Sequence, residues 1–287
     1  MNRTQGKWSD RAVRGRPALR MAGFLVAGIL GLFPSSGRAV PVINAGGIVN
    51  AASYGLPGSA GPAAGSIVSL FGTGLATSTL TASTLPLPLT LGTTSVSVSG
   101  VPAPLFYVSP TQINFQLPWQ GCCAEIVRIV TVTVNDISSN ELVITVSSFG
   151  PALFSVNSTG SGQGAIQIAN TNIFAAPTGS IAGASSRPAQ RGESITIFAI
   201  GLGPVAPTPL AGTAALPSPL SETLFNLTVS IGGIPADVTF SGLAPGFVGL
   251  YQVNVRVPFS TSTGNAVPVR ISLSDSGSSN TVTMAVQ

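Results

Sequence analysis

Gly65-Ser66-Ile67-Val68-Ser69-Leu70-Phe71-Gly72-Thr73-Gly74-Leu75 and Gly192-Glu193-Ser194-Ile195-Thr196-Ile197-Phe198-Ala199-Ile200-Gly201-Leu202 are two copies of one pattern. Each opens on a glycine, runs through β-branched and aromatic residues, and closes on a Gly-Leu pair. A short apolar run of this composition, bounded by glycine, predicts a strand with much of its surface buried. The segments downstream of each copy repeat in the same order. Ser95 to Ala103 matches Leu227 to Ala236, an alternation of apolar and small polar residues that ends in a turn. Gln112-Ile113-Asn114-Phe115-Gln116-Leu117-Pro118 matches Gln252-Val253-Asn254-Val255-Arg256-Val257-Pro258, and Ser138-Ser139-Asn140 matches Ser278-Ser279-Asn280. One unit is written twice, and the extra residues of the second copy fall in loops.

Between these landmarks Gly, Pro, Ser, Thr and Asn punctuate runs of Val, Ile, Leu and Phe, and no window carries a helical period. The expectation is an all-β chain of two tandem immunoglobulin-like sandwiches, 40–150 and 191–287. A partly ordered connector, 151–190, is expected between them. It holds two apolar runs around Asn170-Thr171-Asn172, which predict a β-hairpin.

The charge is divided unevenly. Residues 1–39 carry seven Lys/Arg against Asp10, whereas residues 40–287 carry five arginines against seven carboxylates. The basic character belongs to the leader, so no nucleic-acid partner is expected. That leader reads as a signal peptide over 1–39. A basic region ends at Arg20, an apolar stretch runs from Met21 to Phe33, and Gly37 and Ala39 are the small residues of a cleavage site. The apolar stretch is too short to span a bilayer as a helix, and no stable membrane span is expected after cleavage. The remainder is expected to be secreted, at the cell surface or periplasmic.

The order "G-x-x-V-x-L-x-G-T-G-L", "V-x-V-x-G-V-P-A" and "I-x-F-Q-L-P" resembles the IPT/TIG branch of immunoglobulin-like domains. From Gly47 to Gln287 the chain resembles more closely the Solibacter uncharacterised C-terminal domain family. The residues that carry this are Val49–Tyr54, Pro104–Asn114 and Gly242–Asn254. The resemblance implies a sandwich fold at the end of secreted proteins. It implies no catalytic residues.

The chain has no histidine, and its one lysine, Lys7, lies in the leader. This excludes Ser-His-Asp and Cys-His catalysis, His-ligated metals, Ser-Lys dyads and Schiff bases from residues 40–287. The seven carboxylates of the body are scattered, and no matched position of the two units carries an acid in both, so neither a glycosidase pair nor a metal site is expected. Neither catalysis nor a cofactor is expected.

Three sets of residues remain as candidates. Gln112/Asn114 and Gln252/Asn254 each place two amides on one strand face. They read as a structural motif tying down neighbouring loops, or as a polar ligand strip. Tyr54 and Trp119 are candidates for a ligand surface, since sugar platforms expose flat rings; Trp119 follows Pro118 as Phe259 follows Pro258, which also suits packing. Cys122 and Cys123 are adjacent, with Cα atoms closer than ordinary disulfide geometry allows, and are read as free thiols, a strained ring or a bridge to another chain. The resulting expectation is a non-catalytic module for protein interaction, adhesion or envelope structure. Its partner would be an extracellular protein, glycan or envelope component. The alternative is a carbohydrate-binding accessory module.

Overall fold

The computed structural model describes residues 39–56, 60–119, 125–273 and 277–287. The expected leader thus lies outside the described residues apart from Ala39. Among the described residues every regular element is a strand.

In the first half one sheet has the order β1 (Val42–Asn50), β2 (Ile67–Thr73), β8 (Gln112–Gln116), β7 (Leu105–Val108) and β3 (Leu80–Thr81). The facing sheet centres on β9 (Ile126–Val134). On one side of β9 lies β5 (Thr94–Val98), which carries β4 (Thr90–Leu91) and β6 (Val101–Pro102). On the other side lie β10 (Ile137–Ser138) and β11 (Leu142–Val146). The alternation read in the sequence becomes burial. In β5, Thr94, Val96 and Val98 point inward while Ser95 and Ser97 are partly exposed. Leu70, Ile113 and Phe115 from one sheet meet Val96, Val130 and Val132 from the other in a single buried core. The quoted strand β2 sits between β1 and β8, so both its edges are bonded.

The second half repeats this plan around β16 (Ser194–Ile200), which pairs with β21 (Tyr251–Arg256). Its two sheets are continuous through β20 (Ile234–Leu243). This long strand pairs β19 (Leu227–Ile231) over its first part and β21 over its later part, with a register shift between Val238 and Phe240. The outer sheet continues through β22 (Gly264–Leu273) to β23 (Gly277–Ser278) and β24 (Val282–Val286). A short ladder of β17 (Val205–Ala206) and β18 (Glu222–Thr223) lies against β20. In the first half the counterpart of β20 is broken into β6 and β7. Pro104 stands where β20 has Asp237, and a proline cannot donate to a ladder.

The stretch 151–190, expected to connect two sandwiches, belongs to the second one. It supplies β12 (Ala152–Leu153), β13 (Ile166–Ile168), β14 (Phe174–Ala175) and β15 (Ser186–Arg187). The first two pair with β16, and β13 and β14 form a hairpin through Gln167 and Phe174. Ile166, Ile168, Ala175 and Ala189 are buried in the second core. Since β12 pairs β16 as β1 pairs β2, the second sandwich opens at Ala152. The residues between β12 and β16 are an insertion between its first two principal strands.

The equivalence of β1 and β12 rests on a repeated polar clamp. Asn140 Oδ1 accepts from the Ile43 amide at 2.7 Å, and its Nδ2 donates to the Ile43 carbonyl at 3.1 Å. Asn280 does the same to Leu153, at 2.8 and 2.9 Å, and adds a bond to the Gly160 carbonyl at 2.6 Å. The preceding serine locks the asparagine. Ser139 Oγ accepts from the Val132 amide at 3.0 Å and donates to the Asn140 carbonyl at 2.7 Å; Ser279 repeats both bonds with Ile271 and Asn280. An asparagine matches a peptide unit donor for acceptor, so it can stand in for a strand partner.

Replacing Asn280 with alanine leaves the buried Leu153 amide and carbonyl unpaired. It is expected to cost about 2–4 kcal/mol, against about 1 kcal/mol for the same change at the solvent-exposed Asn140. Urea denaturation of the two variants, followed by far-UV circular dichroism, measures the difference.

Candidate interaction surface

The residues singled out in the sequence fall at separate places. Trp119 packs on Gly65, whose φ is +73° and where any Cβ would overlap the indole. Gly192 repeats this with φ +82°, its Cβ position lying 2.6 Å from the Phe259 ring. The two rings differ in surroundings. Trp119 is partly buried and packs against the core of the second sandwich, whereas Phe259 is 74% exposed. Trp119 lines a small cavity with Ala64, Ser148, Pro204 and Thr208, and its buried Nε1 has no hydrogen-bond partner among the described residues. Tyr54 lies elsewhere, in the turn after β1, with a left-handed φ of 52°. The two rings proposed as a ligand surface do not line that cavity together. Cys122 and Cys123 lie outside the described residues.

Three of the four Gln-x-Asn amides, Gln112, Asn114 and Asn254, bond along their own sheet face rather than to loops. Gln112 Nε2 donates to Asn114 Oδ1 at 2.8 Å, and Asn254 Oδ1 accepts from Thr196 Oγ1 at 3.0 Å across the ladder. Gln252 stands opposite Phe198 in that same ladder. The loop-holding role goes to amides that sequence reasoning passed over. Asn50 Nδ2 reaches the Gly150 carbonyl at 2.9 Å, and Asn140 and Asn280 make the clamps described above. The recurrence of Ser-Ser-Asn before the last strand was the visible signal for the latter pair.

The junction between the sandwiches is built around Gln116. Its side chain is buried, donates from Nε2 to the Gly65 carbonyl at 3.0 Å, and accepts the Gly212 amide at Oε1 at 2.7 Å. Leu87 N–H donates to the Gly212 carbonyl at 2.8 Å, so Gly212 is held from both sides. Ala51 and Ala52 meet Ala152 and Ile200 in a small apolar cluster beside it. The counterpart of Gln116 in the second sandwich is Arg256, which is exposed.

This junction joins the loops that come after β2 and β16. Loop 74–93 carries no charged residue, loop 201–226 carries Glu222 alone, and the turn 244–250 carries none. The turn is bonded to the second loop, with Ala215 N–H donating to the Phe247 carbonyl and Gly246 N–H to the Ala215 carbonyl, both at 2.9 Å. Together the three segments expose Leu85 (57%), Leu89 (49%), Leu210 (81%), Leu216 (57%) and Phe247 (56%). These large apolar side chains are held in water by backbone bonds beneath them.

Two titratable groups are shifted at structural positions. Glu193, one of the scattered carboxylates, makes a two-pronged pair with Arg187 at 2.6 and 2.9 Å and accepts the Gln190 amide at 2.8 Å. The Arg187 hydrogen bonds hold its carboxyl below the usual range, and they raise Arg187 in turn. The pair fastens the insertion to the start of β16. Tyr251 is fully buried with its hydroxyl donating to the Gly203 carbonyl, and burial pushes its ionisation upward. Among the described residues no cluster of three or more metal-ligating side chains occurs.

Neither a family model nor a curated protein matches the chain. Solved structures are similar at low identity. One is the plexin A4 extracellular region, with 14% identity over 85% of this chain and 18% of that one, at a TM-score of 0.27. A second is the Bacteroides ovatus mixed-linkage glucan utilization protein SGBP-B, in complex with a mixed-linkage heptasaccharide. It shows 12% identity over 82% and 47% of the two chains, at a TM-score of 0.32. A third is domains 5–6 of the S-layer protein SbsC, with 13% identity over 86% and 98%, at 0.25. The chain spans less than half of the plexin and glucan-utilization chains that it matches.

Gln116→Ala leaves the Gly212 amide and the Gly65 carbonyl without their side-chain partner. It is expected to destabilise the protein by about 1–3 kcal/mol and to speed hydrogen exchange at Gly212 selectively. Stability also carries a Glu193 contribution. Because the folded-state value is lowered, that contribution is whole above the ordinary glutamate range near pH ~4.3 and is lost as pH falls through the folded value. Unfolding midpoints measured from pH 7 down to pH 2 are expected to fall less steeply for Glu193→Gln than for the parent.

Proposed function

We propose that this chain is an exported, non-catalytic two-sandwich module that binds a protein or envelope component at the cell surface. The observation that carries the reading is the apolar surface over Leu85, Leu89, Leu210, Leu216 and Phe247, laid across the junction of the two sandwiches. Five such side chains together expose on the order of 500 Å² of apolar area, on segments hydrogen-bonded to one another through Leu87, Gly212, Ala215 and Phe247. A nearly charge-free surface loses little on desolvation, so contact with another uncharged surface is favoured by area alone. The leader over 1–39 supports export, and no helix among the described residues is long and apolar enough to cross a membrane. The absence of histidine from the sequence, and of lysine after residue 39, supports a role without proton-transfer catalysis. Kinship with the Solibacter C-terminal domain family, from Gly47 to Gln287, is part of the same proposal.

A second reading has one observation in its favour. A groove of about 500 Å³ is lined by Asn157, Gln163, Asn265 and Thr283 together with Val156 and Ile181. Amides and a hydroxyl beside aliphatic walls suit a neutral polyhydroxylated ligand, which is the carbohydrate-binding alternative at a place other than Tyr54 and Trp119.

The test of the first reading is co-sedimentation of the purified protein with envelope fractions of the producing cell. Leu210→Ser combined with Phe247→Ser is expected to lower binding at least tenfold with the unfolding midpoint kept. Binding unchanged by the pair, or none in the parent, would sink the interaction reading. Saturable binding on a glycan array that is lost in Asn265→Ala would move the function to the groove.

A further inference from the structure

The last strands of the two sandwiches are equivalent, but their outer edges are not. In the second sandwich the inserted segment closes the edge of β24. Thr283 N–H donates to the Gly162 carbonyl at 2.7 Å, and the Thr283 carbonyl accepts from Gly164 at 2.8 Å. Farther along, the Ala285 carbonyl accepts from Ala189 at 2.9 Å, and Gln287 N–H donates back to Ala189 at 2.8 Å. Both contacts are parallel bridges.

The asparagine clamps align Asn140 with Asn280, and so Val143 with Thr283, Thr145 with Ala285 and Ser147 with Gln287. In the first sandwich only the last of these is covered. Ser147 N–H donates to the Pro62 carbonyl and its carbonyl accepts from Ala64, both at 3.1 Å, again in a parallel bridge. Val143 stands opposite Ile129 in the ladder of β11 and β9. Ile129 turns both backbone groups to the other side, its amide to Ser99 Oγ at 3.1 Å and its carbonyl to the Ser99 amide at 2.7 Å. The pair is therefore a non-hydrogen-bonded one, and the N–H and C=O of Val143 point outward from the sheet edge. Thr145, two residues on, repeats this. No described residue occupies these four groups.

The surroundings specify what would. Val127, Ile129 and Val143 are exposed together on the outer face of this sheet. All four charged residues of 40–150 lie between 125 and 141: Glu125, Arg128, Asp136 and Glu141. Arg128 is half-buried and lines a small internal cavity with Val98 and Leu117, whereas Glu125 and Glu141 are exposed at the two ends of β11. Ser147 Oγ lies 3.4 Å from Glu125, which places that carboxylate at the far end. A second copy would bring its own two carboxylates to these ends.

We propose that β11 is a strand-addition site for an extended peptide with an uncharged β-branched core and a Lys or Arg at each end. The peptide adds parallel to β11 at Val143 and Thr145, in the place that 162–164 and Ala189 take in the second sandwich. Main-chain bonds supply the affinity, Val127, Ile129 and Val143 meet its alternate side chains, and Glu125 and Glu141 select its ends. This site is separate from the loop surface that carries the proposed function.

The probe is an acetylated, amidated nonapeptide Lys-Ser-Val-Thr-Val-Thr-Val-Ser-Lys, compared with its twin bearing glutamate at both ends. Titration into the purified protein is followed by fluorescence polarisation and by amide shifts. The lysine peptide is expected to saturate with shifts centred on Leu142–Val146, and the glutamate twin to bind about tenfold more weakly, as two exposed ion pairs at the ends imply. Val143→Pro removes an outward N–H without removing a bond to β9, and is expected to abolish binding with the unfolding midpoint kept. Should that variant not fold, Glu125→Lys with Glu141→Lys decides, since it is expected to reverse the preference between the peptides. Equal affinity for both peptides, no saturation, or no response to these variants would overturn the proposal. So would concentration-dependent self-association that Val143→Pro abolishes, which would make a second copy the occupant.

Discussion

The bond between an asparagine side chain and the peptide unit of a distant strand is the constraint on which each sandwich depends. Asn140 holds Ile43 across 97 residues, and Asn280 holds Leu153 across 127. Each links the first strand of one sheet to the approach of the last strand of the other. Sandwiches of this size often use a disulfide between their sheets; here an asparagine amide, exposed at Asn140 and buried at Asn280, does related work through donor and acceptor matching. Its strength lies in the cost of leaving the backbone groups unpaired rather than in the net gain of making the bonds.

The same clamp supplies the ruler by which the two halves are compared, and the comparison explains their differences. The second sandwich accepts an insertion between its first two principal strands, and that insertion is spent closing the edge of β24. The Arg187–Glu193 pair then fixes its exit at the start of β16. In the first sandwich the described residues 60–66 at this place reach Ser147, and no described residue reaches Val143 or Thr145. An open edge therefore results from loop length, not from any change in the strands themselves.

Charge obeys a similar logic. Residues 40–124 contain no Asp, Glu, Lys, Arg or His, and the junction loop 201–226 carries Glu222 alone, so these loops pack and face water with little electrostatic repulsion. Solubility of such a surface rests on Ser, Thr and backbone groups. Where carboxylates do appear in the first half, they gather on the sheet that contains the open edge. Apolar display and acidic display are thus assigned to different faces of the same chain.

The all-strand class and the positions of the principal strands were legible in the sequence. Alternation with period two, and glycine at Gly65 and Gly192 where an aromatic ring crosses the backbone, are local signals that survive any arrangement of the rest. The membership of 151–190 was not legible, because Ile166 and Ile168 are apolar whichever sheet they join. The roles of the amides were not legible either. Gln112 and Gln116 sit four residues apart on one strand, yet one bonds along its own strand and the other holds the junction, since only Gln116 meets Gly212. The exposed leucines of Leu85-Pro86-Leu87-Pro88-Leu89 read like the buried one between them until the fold separates Leu87 from its neighbours. Sequence determined what each strand could bury; tertiary structure decided which edges, amides and leucines were left over, because those depend on partners brought in from a hundred residues away.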